Sequence, residues 1–67
     1  MKLISDEDKL VCLEREIGMR KWVYAGRVRQ GHMSPAMAER ELAIMQAIAA
    51  DYRAKVRPEL KLMEQGA

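Results

Sequence analysis

From the tenth residue onward, Leu10, Leu13, Ile17, Tyr24 and Val28 recur at helical spacing. On a wheel that advances about 100° per residue they fall within about 60° of one another. The pattern predicts an amphipathic helix with that stripe turned inward. Ser5 offers a side-chain oxygen to the unbonded N–H groups of a helix start, and Asp6, Glu7 and Asp8 lie where the helix dipole favours negative charge. Helix 1 is therefore expected over about residues 6–30. Arg27 and Arg29 place cations near its carboxyl end, and Gly31 can take the left-handed conformation that stops it.

Ser34-Pro35 predicts a second start, with the serine as cap and the proline at the first helical position, where its missing N–H costs nothing. Residues 31–34 are then a turn, with His32-Met33 as the tight connection. Ala38, Leu42, Met45, Ala49, Tyr52 and Val56 follow in alternating steps of four and three, the seam of an antiparallel hairpin or bundle. Helix 2 is expected over about residues 35–57, because a residue before proline avoids the α region and Arg57 precedes Pro58. Residues 58–67 read as a short extension after Pro58, fraying at Gln65-Gly66-Ala67. The fold class is all-α: one antiparallel two-helix hairpin domain spanning 1–67.

Composition adds a difficulty. With 67 residues the chain is short of core, although 49% of it is hydrophobic. Chains of this size lean on a disulfide, a metal or a partner subunit. Cys12 is the only cysteine and His32 the only histidine, so no intrachain disulfide and no zinc ligand set of usual spacing can form. Cys12 suits a reducing cytosol, or an intermolecular bridge. Each helix meanwhile carries apolar residues off its seam: Val11 and Trp22, then Cys12, Met19 and Val23 on helix 1, and Met37, Ile44 and Ile48 on helix 2. Dimerisation into a four-helix bundle covers such a surplus most economically, with Val11, Met19, Val23, Met37, Ile44 and Ile48 as the interface. Burial against a different protein is the rival, and it would use the same residues.

Functional chemistry is sparse. Glu14 and Glu16 point to different helix faces, as do Glu39 and Glu41, so neither is a convergent carboxylate pair. Cys12 and His32 are expected more than a helix apart, Ser5 and Ser34 have cap roles, and the isolated glycines make no phosphate loop. The expectation is a non-enzymatic protein without cofactor or metal. Two features invite a binding role. Trp22 is flanked one turn away on either side by Gly18 and Gly26, although interior glycines cost about 1 kcal/mol each relative to alanine. The arrangement suits a shallow groove where another chain meets the indole; it serves equally if this face packs inside the protein's own dimer, or if Gly26 marks the fraying of helix 1.

The second feature is charge. Between Glu16 and Glu39 there is no acidic residue, whereas Arg20, Lys21, Arg27, Arg29 and His32 all lie there, which makes the turn end positive. Half of that pattern only complements a helix dipole. A net charge of +2 and the lack of a third helix argue against nucleic acid as the partner. An alanine line on helix 2, Ala43, Ala47, Ala50 and Ala54, reads as a solvent face or as a close helix contact. The amino-terminal residues contain no apolar run long enough for a signal peptide or a membrane span, so the chain is expected in the cytoplasm, away from membranes.

The residues Leu13-Glu14-Arg15-Glu16, Met19-Arg20, Val23-Tyr24, Val28, Gly31-His32-Met33-Ser34, Ala38, Glu41, Met45, Ile48 and Asp51-Tyr52-Arg53 together resemble a family of small phage and prophage helical proteins. The resemblance covers most of the chain. Many members carry Pro-Arg directly after Val-Tyr, where this chain has Ala25-Gly26. It implies no catalytic residue or ligand. It implies a setting, in which small phage proteins bind and block, or redirect, a host or phage protein. The leading expectation is thus a homodimeric interaction protein that contacts its target through Trp22, Gly18, Gly26, Arg27, Arg29 and His32. The alternatives are a nucleic-acid-associated factor using the basic turn, and a structural subunit of a phage assembly.

Overall fold

The computed structural model describes residues 3–57. It contains two α-helices, α1 (Asp6–Arg29) and α2 (Pro35–Val56), packed against each other as an all-α hairpin. Each end has a local cause. At the start of α1 the Ser5 hydroxyl accepts the Asp8 N–H at 3.0 Å, and the Asp8 carboxylate accepts the Ser5 N–H at 3.2 Å. This reciprocal capping box satisfies two donors at once. At the start of α2 the Ser34 hydroxyl accepts the Met37 N–H at 3.1 Å, with Pro35 at the first helical position.

The turn is a Schellman closure. His32 N–H reaches back to the Arg27 carbonyl at 2.9 Å and Gly31 N–H to that of Val28 at 3.1 Å. Both bonds require a left-handed residue between them, and Gly31 supplies it with φ +77. Helix 1 is one residue shorter than its sequence pattern, because Gln30 caps it with an N–H bond to the Gly26 carbonyl. Arg57 likewise caps α2 through the Arg53 carbonyl. The expected extension over 58–67 lies outside the described residues.

The seam is the one the spacing predicts. Leu10, Ile17 and Tyr24 of α1 and Ala38 and Ala49 of α2 are buried, and Leu13, Met45, Tyr52 and Val56 pack partly buried against Leu10, Ile17 and Ala49. One ion pair ties the helices together, Arg53 to Glu14 at 3.2 Å. Tyr52 carries Lys9 of α1 and Lys55 of α2 at 5.9 and 5.0 Å from its ring centre. The core is small: among the described residues Leu10 is the only large side chain buried almost completely. Two of the five buried residues are alanines, which contribute little transfer free energy.

Two glycines separate backbone from packing effects, since a Cβ at Gly31 or at Gly18 would meet nothing within 4 Å. Gly31→Ala should destabilise the chain by about 1–2 kcal/mol, because alanine strains at positive φ. Gly18→Ala, inside a helix, should stabilise by about 0.5–1 kcal/mol. Urea unfolding followed by circular dichroism reads both. A stabilising shift at Gly31 would mean that the turn is not closed in this way.

Candidate interaction surfaces

The hairpin has two sides beyond its seam, and they differ. On the first, Glu16, Met19, Arg20, Val23, Tyr24 and Arg27 of α1 face Met37 and Glu41 of α2, with Met33 of the turn, around a groove of about 490 Å³. Met19 and Met37 are each 58% exposed. The apolar strip extends along α2, since Met37, Glu41, Ile44 and Ile48 fall within about 60° on its wheel, and both isoleucines are exposed. It also extends along α1 to a second hollow of about 700 Å³ lined by Ile4, Asp8, Lys9, Cys12, Leu13 and Glu16. Glu16 borders both hollows.

Polar groups on this side are partly spoken for. Arg20 Nε donates to Glu16 Oε1 at 2.8 Å, and its Nη1 donates to the Tyr24 hydroxyl at 3.2 Å. The hydrogen bond to Glu16 first, and that to Tyr24 second, raise the Arg20 pKa from its ordinary value, so this cation stays charged throughout the working pH range. It lies exposed beside the seam and satisfies the hydroxyl of the buried Tyr24. Arg27 and Glu41, on the same groove, make no ion pair with any described residue.

The other side is the outer face of α1. Val11, Gly18, Trp22, Gly26 and Arg29 fall within about 80° of one another on its wheel. Trp22 is 81% exposed, and with Val23, Gly26, Arg27, Arg29 and Gln30 it lines a shallow hollow of about 310 Å³. A Cβ at Gly26 would touch only the Arg29 side chain, at 3.9 Å, so packing within the chain demands neither helical glycine.

The structure thus brings Trp22, Gly26, Arg27 and Arg29 together. Gly18 lies one turn earlier on the same face, outside the hollow, and His32 is exposed in the turn, away from its walls. Of the residues expected at a dimer interface, Met19, Val23 and Met37 line one groove and Ile44 and Ile48 extend it. Val11 does not: it stands on the outer face with Trp22. Arg20 leaves the expected positive cluster, being engaged by Glu16.

Two groove residues escaped the sequence reading. Met33 looked like part of a polar turn, yet it is half-buried; its signal is an apolar residue just before the cap Ser34, the position from which a side chain packs towards the fourth residue of the helix. Ile4 stands in the same relation to Ser5. Among the described residues no group of three or more His, Cys, Asp or Glu could hold a metal ion. No helix among them is long and apolar enough to cross a membrane. Compared with known proteins, the chain matches no family model, no curated protein and no solved structure.

Because Trp22 packs on so little of its own chain, Trp22→Ala should change unfolding stability by less than about 0.5 kcal/mol. The wild-type indole should also fluoresce as in water at low concentration. A blue-shifted emission in the dilute protein, or a loss above about 2 kcal/mol in the variant, would place Trp22 inside the fold.

Proposed function

We propose that this chain is a non-enzymatic protein-interaction module: a helical hairpin that self-associates into a four-helix bundle and presents Trp22 and the basic turn to another protein. The exposure of Trp22 beside Gly26 and Arg29 is the observation that carries it. Tryptophan and arginine dominate interface hot spots, and a hollow framed by glycine lets a partner backbone approach the indole. The cations around it, Arg27 and Arg29, favour a target surface of acidic character. Self-association draws its support from the other side, where a minimal core lies beneath Met19, Val23, Met37, Ile44 and Ile48. The resemblance to phage and prophage proteins adds the setting, a host or phage protein as target in the bacterial cytoplasm.

Tagged protein, incubated with nuclease-treated bacterial lysate, should retain a discrete partner that mass spectrometry identifies. Trp22→Ala and Arg29→Gln should each lose that partner while keeping wild-type helicity. If both variants hold every protein that the wild type holds, this face is not the contact. Duplex and single-stranded nucleic acid are tested in parallel at two salt concentrations. A complex that survives physiological salt would replace the protein target by a nucleic acid.

A further inference from the structure

We infer that the groove between Met19, Val23 and Met37 is the seat of a second copy of this chain, docked so that α1 of each copy lies on α2 of the other and Arg27 meets the partner's Glu41. The inference rests on the self-association proposed above and fixes its geometry. Register comes from the Glu14–Arg53 contact at 3.2 Å. In an antiparallel pair each step forward on α1 is a step back on α2, which sets Met19 level with Ile48 and Val23 level with Ile44. A two-fold axis along the length of the hairpin superposes each helix on the other helix of the second copy at the same height. Met19 then faces the partner's Ile48, and Val23 the partner's Ile44.

Charge selects the occupant. Glu16 and Arg20 hold each other at 2.8 Å, leaving Arg27 and Glu41 as the groove's open charges, one of each sign. A partner of one sign would match one of them and repel the other. A second copy turned by a two-fold matches both, because an isologous interface makes every contact twice. The alternative two-fold, with α1 on α1 and α2 on α2, would keep Arg27 away from the partner's Glu41 and leave both charges unmatched by each other. Extent also fits: α2 has 22 residues and is about 33 Å long at about 1.5 Å per residue. A face of that length and roughly 20 Å width presents about 660 Å² before corrugation, close to the ~800 Å² per partner of a stable complex.

Analytical ultracentrifugation of the full chain should find a dimer. Arg27→Glu and Glu41→Arg should each weaken it about tenfold, since each turns two symmetric attractions into repulsions. The double variant should return to within about threefold of wild type. Helicity is followed throughout, and a cysteine pair tests the same geometry without charge. In a Cys12→Ala background, a mixture of Val23→Cys chains and Ile44→Cys chains should cross-link into a covalent dimer under mild oxidation, whereas Val23→Cys alone should not. A wild-type dimer without charge-swap rescue, or with efficient cross-linking through Val23→Cys alone, overturns this geometry and leaves self-association standing. A folded wild-type monomer at high concentration removes both.

Discussion

The controlling constraint is the width of the seam between two helices. Each helix can turn about a third of its circumference towards the other, and here that third is filled by Leu10, Ile17 and Tyr24 against Ala38 and Ala49. Alanines on α2 let the helices approach closely, and the larger α1 side chains reach into the space they leave. The arrangement makes a dry contact but a thin one. Nothing in a two-helix hairpin can cover the adjacent third of either rod, so apolar residues there stay in water unless something outside the hairpin covers them.

Most of the fold is legible in the chain because its signals are local. Ser5, Gly31 and Ser34-Pro35 each act through backbone groups within five positions, and the seam obeys the helical period closely enough for its members to be named from spacing. The surfaces are less legible. A wheel groups Met19 with Val23, and Met37 with Ile44, but the height at which the two groups meet depends on the axial register, which the Glu14–Arg53 pair displays. Side-chain pairing is the other blind spot. Arg20 belongs to the basic run by position, yet its guanidinium is held by Glu16 and Tyr24, so the positive turn is narrower than the sequence suggests.

That narrowing separates two kinds of charge. Arg20 is structural: it pairs with Glu16 and satisfies the hydroxyl of a buried tyrosine. Arg27 borders both the groove and the tryptophan hollow. In the proposed bundle it is consumed by the second copy, which leaves Arg29 as the cation beside the indole. The two sides of α1 would then divide the work, the groove side holding the bundle together and the outer face left for a target.

Trp22 cannot be explained by the bundle. In a four-helix arrangement built on the groove, the outer face of α1 remains in water, and the indole with it. Exposure does not by itself destabilise the fold, since the unfolded chain exposes the same ring, so stability neither demands nor forbids this tryptophan. Its cost lies in solubility, where an exposed aromatic invites non-specific association. Alanine at Gly18 and Gly26 would strengthen α1 and meet no obstruction. Three positions on one face thus depart from what folding and solubility favour, and the two glycines ease the approach of another surface to the ring of the third. The binding role proposed above would account for all of them together.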